Sequence, residues 1–135
     1  MKRITLLFTL CVAACSSESG PPLSVSNVEL TNPMPGRSMS AGYLILRNDS
    51  DEPTRVTSVS SPQFGSVEIH ETQIDDGVSR MRELPEVLVA PGAEVRFERG
   101  GKHLMLMRPA TNVSEIRLNF YSDDTLLVSV TVGDD

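Results

Sequence analysis

Cysteine is nearly absent from this 135-residue chain: Cys11 and Cys15 are the only two, and none follows. Everything after residue 15 therefore has neither thiolate nor disulfide. That excludes cysteine proteases, thioredoxin-like exchange and blue-copper electron transfer, all of which need a sulfur anion. Tryptophan is missing, aromatics make up 4% of the residues, and 18 acidic side chains face 12 basic ones. With neither a basic stripe nor stacking platforms, no nucleic-acid partner is expected. Long apolar runs are missing too. The longest, "ITLLFTLCVAA" (4–14), falls well short of the roughly 20 residues a membrane-spanning helix needs. There is no HExxH, no Gly-rich phosphate loop and no plausible Ser/His/Asp arrangement, so the chain is not expected to be an enzyme.

Coming directly after Lys2 and Arg3, that apolar run reads as a secretory signal over residues 1–14. It ends in "VAAC" (12–15), which resembles the lipobox of bacterial lipoproteins. The resemblance implies that Cys15 becomes the first mature residue and carries lipid, with enough buried CH₂ groups for stable anchoring. Ser16, in place of an acidic residue, points to the outer membrane, so the expected location is periplasmic and lipid-anchored. "SSESGPP" (16–22) reads as a tether. The division is thus signal 1–14, lipidated cysteine and tether 15–22, and one β domain over 23–135. Loss of Lys2 and Arg3 leaves ten basic against eighteen acidic residues, a net charge of −8, which suits attraction of cations or of a basic partner.

Helical periodicity is absent from the rest of the chain. Short alternating or β-branched runs recur instead at 23–30, 40–48, 54–61, 66–74, 78–84, 93–99, 102–107, 114–121 and 126–132. Between them stand "NDSDEP", "IDDGV", "APGA", "RGG" and "SDD", all good turn formers. Many short strands at this spacing predict an all-β sandwich or Greek-key barrel.

Strand alternation then sorts the side chains. In "HLMLM", Leu104 and Leu106 point one way, to the core, and His103, Met105 and Met107 point the other, toward solvent or a rim. In "SVEIHETQI", Val67 and Ile69 face inward, while His70 lies on the opposite face with Glu68 and Thr72. "DDG" (75–77) is a hairpin signal. An even-numbered loop, Asp76-Gly77 or Asp75 through Val78, sets position 72 opposite 81 and makes Met81 a diagonal neighbour of His70 on the same face. An odd loop turns Met81 to the core. Two His/Met pairs result, His70 with Met81 and His103 with Met105. Two imidazoles and two thioethers form a neutral, soft ligand set that suits Cu(I) and suits Zn²⁺, Mg²⁺ or Ca²⁺ poorly. Glu68 and Glu71 are nearby but hard ligands, and Glu71 belongs to the other face.

The spacing His70, ten residues, Met81, twenty-one residues, His103-x-Met105 resembles the pattern of the periplasmic copper chaperone family PCuAC. "AGYLILRN", "SSPQFGSVEIHET", "DDGVSRMR" and "GGKHLMLM" look like segments of that family in the same order, and the resemblance covers about residues 24–132. It implies a cupredoxin-like β-sandwich that binds one Cu(I) through His70, Met81, His103 and Met105. It also implies delivery of that copper to a cytochrome c oxidase subunit or to another copper chaperone. Met107 and Met39 are auxiliary candidates on the rim, and Met34 a candidate lid. After Met107 the chain departs from the family: "RPATNVSEIRLNF" is shorter than the usual loop and the usual Gly-Leu is missing, which bears on rim shape and partner choice. The competing readings are a periplasmic copper buffer or resistance protein, and a β-sandwich interaction module without metal.

Overall fold

A computed structural model describes residues 21–32, 36–111 and 114–133. The signal, Cys15 and Met34 lie outside the described residues. Among those described, every regular element is a strand: β1 (Leu23–Leu30), β2 (Met39–Asn48), β3 (Thr54–Val56), β4 (Ser58–Ser60), β5 (Phe64–Asp75), β6 (Val78–Glu83), β7 (Val87–Val89), β8 (Glu94–Phe97), β9 (Lys102–Pro109), β10 (Glu115–Ser122) and β11 (Thr125–Gly133). The main sheet runs β1-β2-β9-β5-β4-β10-β11, with β6 added to β5 and β8 added to β2; β3 and β7 form a separate pair. Its end strands, β1 and β11, lie against each other, so the sheet curls into a nearly closed barrel. This is the all-β, cupredoxin-like architecture expected from the sequence.

Alternation explains how the core is made. Along β2 every second residue from Ser40 to Asn48 is buried, ending in Leu44, Leu46 and Asn48. Leu104 and Leu106 of β9 are fully buried beside them, with Leu118 and Phe120 of β10. Each such side chain contributes about 2 kcal/mol by leaving water, and a domain without disulfides depends on that sum.

Differences from the sequence reading have local causes. The run 54–61 is two strands, β3 and β4, in different sheets, because Thr57 leaves the ladder to bond the Tyr121 carbonyl. β7 went unread, since three residues are too few for a period. Within β1 the register slips between Ser26 and Glu29, where Asn27 takes a positive φ, the mark of a β-bulge. β8 and β9 pair in turn with the two halves of β2, running in the same direction. They are one strand line interrupted by an excursion at 98–101, made possible by Gly100 at φ +81°.

Candidate metal centre

The hairpin joining β5 to β6 sets the first half of the site. Asp75 pairs with Val78, so the loop is the two residues Asp76 and Gly77, both at positive φ, as a tight primed turn requires. This even loop puts Thr72 opposite Met81 and His70 opposite Glu83, and Met81 falls on the face of His70. On its other side β5 pairs with β9, setting His70 opposite His103, Glu68 opposite Met105 and Ser66 opposite Met107. Met107 in turn lies opposite Met39 on β2. Across four neighbouring strands, both histidines and all four described methionines therefore share one sheet face.

Side-chain geometry tightens part of this set. The Nε2 atom of His103 lies 3.3 Å from the Met81 sulfur. The His103 Nδ1–H donates to the Gly101 carbonyl (3.1 Å), so Nε2 of the neutral ring is a bare lone pair directed at another lone-pair atom. With metal bonds of about 2.0 Å to nitrogen and 2.3 Å to sulfur, two donors at this separation subtend roughly 100° at a shared ion. The two imidazole rings are 6.0 Å apart between centres, tilted by 56°. An ion about 2.0 Å from a ring nitrogen lies about 3 Å from the ring's centre, so rings at this spacing can share one. His70 Nε2 is 2.9 Å from a Glu68 carboxylate oxygen, while its Nδ1 is buried with no hydrogen-bond partner. An orphaned, buried acceptor of this kind is costly unless something binds it. The residues present therefore fit a soft cation.

Exposure is uneven across the set. The expectation that His103, Met105 and Met107 point toward solvent or a rim is corrected at His103, which is 5% exposed; Met81, lying over it, is 52% exposed and Met39 is 40%. The cause is the β5–β6 hairpin, whose outer strand brings the Met81 side chain across the ring. The pairing also differs in detail, since the Met81 sulfur meets His103 rather than His70. Met105 sits two residues along from His103, half-buried, at the wall of a hollow of about 440 Å³ that Met39 also lines. Beside it Arg99 stacks on Tyr43 at 4.9 Å. Among the described residues no three His, Cys, Asp or Glu side chains gather as a metal cluster.

Two supporting groups were invisible as such in the sequence. The Gly101 carbonyl accepts from both His103 and the Thr72 backbone N–H (3.1 Å), joining the ring's orientation to the β5 register. On the reverse face, Glu71 accepts from Lys102 at 2.9 Å and Arg82 at 3.2 Å. These three are the chain neighbours of His70, His103 and Met81, and both cations hold the Glu71 carboxyl below the usual carboxylate range. The i, i+2 spacing of Glu68 and His70 was the available signal for their contact.

Residues 23–132 match the LpqE-like lipoprotein family. An uncharacterized protein, RP573, of Rickettsia prowazekii is 32% identical over 104 residues; the match covers 73% of this chain and 58% of that protein. Among solved structures, the copper-bound PCuAC domain from PmoF2 superposes with a TM-score of 0.61 at 22% identity, covering 83% of this chain and 89% of that one. Apo-DR1885 from Deinococcus radiodurans gives 0.60 at 20% identity, covering 98% and 92%. The apo PCuAC domain from PmoF1 gives 0.60 at 21%, covering 83% and 90%. The chain belongs to the LpqE-like family, and its fold is that of the PCuAC domains its sequence resembles.

Proposed function

We propose that this protein is an extracytoplasmic carrier of copper. It binds Cu(I) through His70, Met81, His103 and Met105 and hands the ion to a copper-accepting protein, the respiratory oxidase copper centre or a chaperone that serves it. The observation that carries this reading is the approach of two bare donors, His103 Nε2 and Met81 Sδ, to 3.3 Å, with the unpartnered Nδ1 of His70 on the facing ring. Similarity to a copper-bound PCuAC domain supports the choice of metal, as does the preference of thioethers and imidazoles for Cu(I). Anchorage through Cys15 at the periplasmic side of the outer membrane belongs to the same proposal, and the lipoprotein-type family supports it.

The gradient of exposure suits transfer more than catalysis. Met81 stands half in solvent on β6, which among the described residues pairs with β5 alone, whereas His103 is buried. An acceptor's ligand meets the thioether first, displaces it, and then works inward to the imidazoles. Met107 and Met39 extend the soft face beyond Met105 as auxiliary contacts. All four donors are neutral, so no proton need be taken up on release except by a histidine.

Anaerobic titration with Cu(I) against a chromogenic chelator tests the reading. One equivalent is expected for the wild type. The double variant Met81→Leu, Met105→Leu should weaken binding at least tenfold, and His103→Ala should nearly abolish it. No uptake by the wild type, or an unchanged double variant, sinks the proposal. Oxidase activity of a deletion strain under copper limitation separates delivery from storage.

A further inference from the structure

The two histidines hold their protons in opposite ways. A neutral imidazole has one N–H and one lone pair, and whichever nitrogen donates leaves the other as the metal donor. At His103 the backbone decides: Nδ1–H is held by the Gly101 carbonyl and Nε2 is bare. At His70 a side chain decides. Two acceptors would not sit 2.9 Å apart, so the nitrogen facing the Glu68 oxygen carries the hydrogen, and that nitrogen is Nε2. The lone pair then falls to Nδ1, the atom that is buried without a partner.

We propose that Glu68 is a positioning residue: by accepting the Nε2–H of His70 it makes Nδ1 the metal donor there. The ion is thus held by Nδ1 of one histidine and Nε2 of the other. This rests on the copper-carrier reading above and adds to it a donor atom and a residue outside the ligand set. Carboxylate–histidine–metal arrangements raise the basicity of the ring and fix its orientation. Here the carboxylate has a second effect. Four neutral donors around Cu(I) leave a net charge of +1 in a partly buried place, and Glu68, two-thirds buried itself, balances it at close range. Glu68 lies opposite Met105 in the ladder, so the balancing charge sits between two of the donors. Glu83, opposite His70 on β6, is exposed and is screened by water.

The test uses the fact that the chain has two histidines, so only two rings contribute to the spectrum. Long-range ¹H–¹⁵N correlation of the apo protein at mildly alkaline pH should show opposite tautomers: Nε2–H at His70 and Nδ1–H at His103. A His103→Gln sample assigns the rings. Cu(I) is diamagnetic, and its addition should move the ¹⁵N resonance of His70 Nδ1 and of His103 Nε2. Glu68→Leu should lose the Nε2–H preference at His70 and weaken Cu(I) binding about ten- to hundredfold, with the stoichiometry still one. Glu68→Gln, whose amide oxygen accepts the same hydrogen, should keep the tautomer and recover part of the affinity. An Nδ1–H tautomer at His70 in the apo protein overturns the inference, and so does a copper-induced shift that is larger at His70 Nε2 than at Nδ1. If the wild type takes up no Cu(I), the carrier reading fails instead, and the apo tautomers still decide the role of Glu68.

Discussion

A single carboxylate on the reverse of the sheet holds three strands at the height of the candidate donors. Glu71 binds Lys102 of β9 and Arg82 of β6, and each of the three flanks a proposed ligand in the chain. Because both cations lower its pKa, the stabilisation is present above the ordinary glutamate value and disappears as pH falls below it through the folded value. Glu71→Gln is therefore expected to lower stability by up to about 1 kcal/mol at neutral pH, discounted for the exposed Arg82. The gap from wild type should close below about pH 4. Urea unfolding of both proteins at pH 7 and in acid checks this. A gap that widened in acid would show that the carboxylate contributes something other than this ion pairing.

At the scale of elements, the β5–β6 hairpin decides whether the candidate site exists at all. Side chains alternate with a period of two, so one extra residue turns every later side chain to the other face. Inserting one glycine between Asp76 and Gly77 should put the Met81 sulfur on the side of Glu71 and away from His103. We expect Cu(I) affinity to fall to about that of Met81→Ala while the rest of the fold persists. Chelator competition together with circular dichroism reads both. A variant that folds and binds like wild type would mean that the hairpin re-registers or that Met81 is no ligand. The excursion at 98–101 plays the corresponding part for β9, since Gly100 takes a left-handed conformation that costs other residues about 1–2 kcal/mol.

For the molecule as a whole, stability rests on one core and on a buried asparagine that ties loops to it. Asn48 is fully buried at the end of β2. Its amide donates to the carbonyls of Glu52 (2.6 Å) and Val89 (3.0 Å), and its side-chain oxygen accepts from the Ser50 backbone and hydroxyl. It thereby joins the main sheet to the separate β3–β7 pair, on a network in which every polar atom is satisfied. Asn48→Ala removes the donor to the Glu52 carbonyl and to the buried Val89 carbonyl and leaves a void, so a loss of about 2–3 kcal/mol is expected in denaturant unfolding. Cu(I) affinity should be nearly unchanged, because the proposed site lies on the opposite face of the sheet. A change below about 0.5 kcal/mol would mean that the two sheets hold together without it.

Most of the strand layout was legible in the sequence because alternation and turn chemistry are local. "DDG" located the hairpin, alternation within each strand separated His70 from Ile69 and His103 and Met105 from Leu104 and Leu106, and the leucines showed which face turns inward; the even loop that sets Met81 with His70 came from the structure. What sequence alone could not decide were matters of distance between strands far apart in the chain. These include the crossing that sets His70 beside His103, the burial of His103 beneath Met81, and the partner of each ring nitrogen. Periodicity fixes the direction in which a side chain leaves its own strand. Only the closure of the sheet decides what lies within 3 Å of its tip, and the chemistry of a metal site is decided at that range.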